Sequence, residues 1–457
     1  MASSQGAPPS PTQSRSKKGL FVTEQPKLDL ESYIANYTGR TRLERMILIG
    51  NCSAVLGIDA FKLAVREAKL GKDITKYLEA QTPLETIAPK EKEAARDLSW
   101  MDKTKSTNAA ETARLESEVK GYKNNLIKES TRMGNEDLGK HFQAIGDLPK
   151  AFEAFSRMRQ DAQTPKHIID ISRHLIEVAV EQRNWIAVTS NVQKIRGVMD
   201  SKDSDKAIPP FLCVAEGLSS LDSGEYLAAA LSFLQTDSGM SSSANSIISP
   251  NDVAVYGGIC ALATMERAEL TKNVLENSNF RTYLELEPHI RRAIGFFVNS
   301  RYAQCLSILE SYRSDYLLDI HLQRHVDDLY QLIRSKSIVQ YFIPFSCVTL
   351  DSLNEQFAAP GKTIEKELVQ MIMRKELDAR IDTVNRVLTS VPSAPRAALQ
   401  SSVLKTAKDY EREAMRRIQH MNILAADVDI KSRNKLPGGD DFFDGGRELR
   451  SGRNTGY

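Results

Sequence analysis

GDLPKAFEAF, residues 146–155, is the stretch from which the fold is read. A turn glycine precedes an apolar residue, and Ala151 and Phe155 then recur at helical spacing. Four later segments repeat the design: RNWIAVTSNV at 183–192, GEYLAAALSF at 224–233, RAELTKNVL at 267–275 and RYAQCLSIL at 301–309. With Leu148, Trp185, Tyr226, Leu270 and Tyr302 taken as equivalent, the intervals are 37, 41, 44 and 32 residues. These lie around the roughly 34-residue period of tetratricopeptide-like helix pairs. In the first unit Leu138, Gly139 and Phe142 fall on the first helix, Gly146 on the turn, and Ala151 and Phe155 on the second, with Pro165 where the unit ends. One helix pair cannot bury its own apolar face, so the units must stack into a solenoid.

Outward from this array, residues 1–26 are rich in Ser, Pro and Gln and are expected to be a disordered tail. An N-terminal helical region is expected over 27–135. Within it LDLESYIANYTGRTRLERMILIG (28–50) reads as an amphipathic helix through Leu43, Met46, Ile47 and Gly50. Residues 52–80 continue in the same style, Pro83 and Pro89 mark a break, and a charged helix is expected from Glu91 to about Met133. The repeats occupy 136–324, interrupted by DSGMSSSANS at 237–246, a surface loop by composition.

Past residue 325 the texture changes. A helix to about Ile343 is followed by a β-prone piece, Cys347–Leu350, and a short helix at 351–358 with Asp351 as its N-cap. A Pro360-Gly361 turn leads into a helix at 362–376, and LDARID (377–382) and NRVLTSV (385–391) read as a hairpin. That order is a winged helix, placed at 325–395. A C-terminal helix at 396–430 carries Val403, Ala407, Tyr410, Ala414, Met421, Leu424 and Val428 at 3–4 spacing, broken at Arg417. Such a narrow seam packs against partner helices or folds back on its own winged helix. Residues 431–457, rich in Gly, Arg and Asp, are expected to be disordered. The fold class is therefore mainly α: a tetratricopeptide-like solenoid, a winged-helix module and a C-terminal assembly helix.

Composition narrows the function. With 61 basic and 59 acidic residues the net charge is +2, which argues against a dedicated nucleic-acid binder. Five scattered cysteines without a CxxC pair read as buried free thiols in a reducing compartment. Neither a signal peptide nor a membrane-spanning stretch is recognised, so an intracellular protein of cytoplasm and nucleus is expected.

Each apparent chemical site in the chain fails at a named position. Gly361-Lys362-Thr363 resembles the end of a phosphate-binding loop, but Gln356 stands where its first glycine belongs. His321 and His325 are one helical turn apart, yet no Glu follows His321 and no HxH exists, so two surface-helix histidines are expected. There is no GxSxG elbow. The helix at 362–376 mixes Lys362, Lys366, Arg374 and Lys375 with Glu365, Glu367 and Glu376, which denies it a phosphate-binding face. No catalytic, cofactor-binding or metal-ligating residues are assigned, and no cofactor is expected.

Several blocks carry a family likeness: LDLESYIANYTGRTRLER (28–45), YKNNLIKESTRMGNEDLGKHFQAIGDLPKAFEAFSRMR (122–159), SPNDVAVYGGICALATMERAEL (249–270), FRTYLELEPHIR (280–291) and IRSKSIVQYFIPF (333–345). They resemble the PCI-domain scaffold subunits, and most closely the first-subunit family of the COP-nine signalosome, of fungal type. The paralogous scaffold of the 26S proteasome lid is the alternative, and a winged-helix nucleic-acid binder a third reading. The resemblance implies a non-catalytic scaffold in the complex that deneddylates cullin–RING ubiquitin ligases, with isopeptidase activity on a different, zinc-binding subunit. It implies contact with other subunits through the hairpin edge at 377–391 and the helix at 397–428, and with the ligases indirectly. It implies no membrane.

Overall fold

The computed structural model describes residues 21–125, 128–198, 208–237, 247–357, 363–391 and 395–426. The chain forms two units, one ending at Ser390 and one beginning at Val391. Residues 1–20 of the expected N-terminal tail, the expected C-terminal tail, most of the Ser/Gly loop and the Pro360-Gly361 turn lie outside the described residues. Residues 21–26 do not behave as a tail throughout: Val22 is buried, donates to the Cys52 carbonyl at 2.7 Å and accepts from the Ala54 N–H at 3.1 Å, because its apolar side chain joins the core of the N-terminal helices.

The first unit opens with α1 (Leu30–Ala35), α2 (Gly39–Cys52), α3 (Gly57–Leu70) and α4 (Ile74–Ile87). The single helix expected over 28–50 is two, because Thr38 is extended and Gly39 takes φ of 66°, a conformation that suits glycine. Pro83 lies inside α4 instead of ending it; the fully buried Tyr77, Ala80 and Leu84 hold that helix through the lost hydrogen bond. The expected 91–133 helix is α5 (Leu98–Asn124), separated from α6 (Lys128–Ile145).

The repeat array follows as α6, α7 (Leu148–Arg157), α8 (Pro165–Glu181), α9 (Trp185–Val198), α10 (Ile208–Asp222), α11 (Tyr226–Leu234), α12 (Pro250–Thr264), α13 (Arg267–Glu269, running into a π-helix at Leu270–Leu275), α14 (Ser278–Leu286), α15 (Pro288–Val298) and α16 (Tyr302–Leu317). Leu148, Trp185, Tyr226 and Tyr302 each begin the second helix of a pair, as the repeated signature requires. Two residues before each stands a left-handed residue: Gly146, Arg183, Gly224 and Ser300, with φ of 96°, 57°, 78° and 62°. The next N–H in each turn bonds a carbonyl five residues back: Asp147 to Phe142, Asn184 to Ala179, Glu225 to Ser220 and Arg301 to Phe296, at 2.8–2.9 Å. This is one helix-terminating turn used four times. The fourth segment departs from it, since Glu266 is extended and forms a capping box with Glu269.

The winged helix comprises α17 (Val326–Phe342), β1 (Cys347–Thr349), α18 (Leu350–Phe357), α19 (Glu365–Met373), β2 (Ala379–Asp382) and β3 (Val387–Ser390). The antiparallel sheet has the order β1-β3-β2, with Val348 opposite Leu388 and Leu388 opposite Ile381. One apolar core runs unbroken from Ile176 to Leu388, so the repeats from α8 onward and the winged helix share a single core, while α6 and α7 pack around a second one with α5 and α8. The second unit is α20 (Pro395–Ala425).

Candidate assembly surfaces

In the winged helix β3 is central, so β1 and β2 are edges: each pairs with β3 on one side and has no second strand among the described residues. An unpaired strand edge is a template for a neighbour's strand. The wing is fixed at its tip, where the Asp382 carboxylate accepts the N–H groups of Val384 and Asn385 at 3.0 and 3.2 Å. Arg386, left-handed with φ of 55°, accepts the Leu350 N–H through its carbonyl at 2.9 Å. Asp351 is not the cap of α18. The helix begins at Leu350, the Thr349 hydroxyl accepts the Ser352 N–H at 3.3 Å, and Asp351 instead pairs with Arg386 at 3.3 Å. On α19 Glu367 is bound by Arg334 at 2.7 Å, while Val369 and Met373 are exposed.

The helix α20 offers the second surface. Val403, Tyr410, Met421 and Leu424 of the expected seam are all exposed, as are Leu399, Leu404 and Ile418 beside it. Val428 lies outside the described residues. Thirty-one residues give a rod of roughly 46 Å at 1.5 Å per residue. A seam of spacing 3–4 over that length is a coiled-coil pattern.

What anchors the N-terminal helices to the array was not visible in the sequence. Arg45 on α2 is completely buried and pairs with Asp252 at the start of α12 (2.9 Å) and Asp319 after α16 (2.6 Å). It also donates to the hydroxyls of Tyr33 and Tyr256, and its guanidinium lies 4.1 Å from the Tyr37 ring centre. The Tyr37 hydroxyl donates to Asp252 at 2.7 Å and that of Tyr256 to Asp319 at 2.7 Å. Burial would raise Asp319, but Arg45, His321 and the hydrogen bonds from the Leu322 N–H and the Tyr256 hydroxyl together outweigh it and hold that carboxyl down at about 2. Asp252 is pushed upward by burial and by Asp319, since two carboxylates share one guanidinium.

The two histidines are corrected by the same region. Residues 318–325 are turns between α16 and α17, not a helix face. His321 packs edge-on against Trp185 and Tyr256, and burial drives it down to about 3. His325 meets the Tyr226 hydroxyl through Nδ1 at 3.1 Å. They serve two separate aromatic contacts. Among the described residues no group of three or more His, Cys, Asp or Glu is placed to hold a metal ion. Cys260 and Cys305 are buried thiols raised to about 12 by burial, whereas Cys347, expected inside, is exposed on the edge strand β1.

A second device missed in the sequence lies under the winged helix. Lys336 of α17 donates to the carbonyls of Leu262 (2.8 Å) and Met265 at the end of α12, and lies 5.0 Å from the Phe297 ring centre. A cation there satisfies helix-terminal carbonyls and complements the dipole.

Two family models match this chain: 26S proteasome subunit RPN7 over residues 97–273 and the PCI domain over 309–390. The chain is 50% identical to COP9 signalosome complex subunit 1 of Emericella nidulans, over 90% of this chain and 84% of that one. It is 48% identical to the protein of that name from Neurospora crassa, over 88% and 91% of the two chains. It is 35% identical to that from Arabidopsis thaliana, over 92% and 95%.

Proposed function

We infer that this chain, which belongs to the COP9 signalosome subunit 1 family, is a non-catalytic scaffold of that complex and through it supports deneddylation of cullin–RING ubiquitin ligases. The observation that carries this is kinship along nearly the whole length with relatives that share one name. The PCI match falls on the winged helix, where two strand edges are available for pairing.

In this reading the array from α8 onward and the winged helix act as a rigid body, because they share one core. The β2 edge receives a neighbouring subunit's strand, and α20 enters a bundle with helices of other subunits. Apolar burial at about 25 cal/mol per Å² makes such a seam a substantial contribution to assembly. The isopeptidase chemistry belongs to another subunit, and the cullin–RING ligases are reached indirectly. Cytoplasm and nucleus are the proposed locations.

The RPN7 match over 97–273 favours a second reading, the paralogous scaffold of the proteasome lid. Its span stops within the shared repeat region, whereas the signalosome relatives match over 90% and 88% of this chain. Tagged chain purified from its native cells, followed by mass spectrometry, separates the two. Recovery with a deneddylase and PCI partners is expected; recovery with the proteasome's regulatory particle overturns the first reading.

A further inference from the structure

Where the N-terminal helices meet the repeats, one carboxyl has no counter-charge of its own. Glu181 is the last residue of α8, at the helix end where the dipole disfavours an anion. It lines a cavity of about 50 Å³ with Thr41 and Glu44 of α2, Gln143 of α6 and His321 of the turn after α16. Its Oε1 accepts from Gln143 Nε2 at 2.7 Å, and its buried Oε2 has no hydrogen-bond partner.

Most of the charged groups around it are engaged elsewhere. Arg40 is shared between Glu44 at 3.1 Å and Asp73 at 2.8 Å. Lys140 is held by Glu136 at 2.6 Å, and Glu177 on the same helix pairs with Arg173 at 3.4 Å. Lys72 and Glu67 stand farther out on the rim of the adjoining cleft, and Arg183 lines the cavity wall. His321 is neutral at any physiological pH. An ionised Glu181 therefore adds an anion beside Glu44 and Glu177, while Arg40, whose charge favours ionisation, is already shared between two other carboxylates. Burial, with Glu44 and Glu177, outweighs Gln143 and Arg40 and raises the carboxyl to about 7.

We propose that the seam between the N-terminal helices and the repeat array is a pH-responsive latch, tight when the Glu181 carboxyl is neutral and loosened when it ionises. The sign follows from linkage. A carboxyl raised in the closed form stabilises closure fully at pH below its free value of 4.5, and the advantage is lost as pH rises to about 7. Between pH 6 and pH 8 the opening equilibrium then increases about tenfold, and above pH 8 it is level.

Hydrogen exchange of the full-length chain tests this, comparing wild type with Glu181→Gln at each pH so that intrinsic exchange cancels. The expected result is a wild-type to variant ratio of opening in α2 and α8 that rises about tenfold from pH 6 to 8. A ratio constant over that range overturns the latch. If the variant does not fold, wild type alone serves after scaling for intrinsic exchange. A tenfold rise confined to α2 and α8 and absent from α14 supports the latch, and equal behaviour of the three helices overturns it.

Discussion

Gly139 on α6 lies directly under the Phe155 ring of α7, so close that a Cβ on the glycine would stand 2.5 Å from ring carbon Cε1. The pairing is a rule of the array. Seven residues before and nine after each left-handed turn residue stand Gly139 and Phe155, Ile176 and Val192, Gly217 and Phe233, and Ala293 and Leu309. Gly217 repeats the close approach, since a Cβ there would stand 2.7 Å from Phe233 Cε1, and the other two equivalent pairs combine two middle-sized residues or a small with a larger one. Gly139→Ala should therefore destabilise. Its helix-propensity gain is about 1 kcal/mol, whereas overpacking against a fully buried ring costs about 1–3 kcal/mol. Adding Phe155→Leu, the combination of the last repeat, should recover part of the loss. A urea-unfolding double-mutant cycle should give a coupling of about 1 kcal/mol or more; strict additivity would refute the volume rule.

Arg45 sets a different expectation. Replacing it by Met keeps most of the volume but leaves Asp252 and Asp319 buried without their cation. A loss of about 3–5 kcal/mol is expected, the magnitude for one partner removed from a buried pair. Limited proteolysis should then release the N-terminal helices first, with cleavage between α4 and α6. A variant as stable and protease-resistant as wild type would show that aromatic packing alone holds that region.

The contrast between these two features explains what could be read in the chain. Gly146, Gly224 and the apolar residues after them are local signals, so the pairs and their starts were legible. The winged helix was legible for the same reason, because its elements follow one another at short range. Arg45 reaches partners 207 and 274 positions away, which no periodicity reveals. The signature LDLESYIANYTGRTRLER contained Tyr33, Tyr37 and Arg45, but nothing local said that they meet SPNDVAVY. His321 was misplaced because four-residue spacing implies a shared face only if the segment is helical. Pro83 and Asp351 failed where tertiary packing and a neighbouring threonine outweighed a local preference.

Lys336 should behave as a structural hydrogen-bond donor. Lys336→Met removes the donor to two α12 carbonyls and the contact over Phe297, at an expected cost of about 1–3 kcal/mol. Thermal unfolding reads it, and Lys336→Arg should be no full rescue, since a planar fork replaces a compact ammonium. Burial lowers this amine to about 8. A lysine lowered in the fold contributes stability above its free value of 10.5 that is lost as pH falls through about 8. Lys336→Met should therefore compare least favourably with wild type at alkaline pH, and a difference independent of pH between 7 and 10 would contradict the assignment.

The last prediction concerns α20, where stability and assembly should separate. Val403→Asp with Tyr410→Asp places two carboxylates on the seam while leaving the first unit untouched in sequence. Both positions are exposed, so the isolated chain loses no buried contact and its unfolding midpoint should move by no more than about 0.5 kcal/mol equivalent. In a bundle those positions face apolar partners, and burying two unpaired carboxylates costs several kcal/mol each. At about 1.4 kcal/mol per tenfold, even a single such penalty lowers affinity a hundredfold or more. Pull-down from cells expressing the double variant should thus recover a folded chain depleted of its subunits. Substitution of Arg417, the one charge on the stripe, by Leu should have the opposite sign and tighten the association. If the double variant still enters the complex at wild-type yield, the seam is not an assembly surface, and subunit contacts must rest on the winged-helix edges alone.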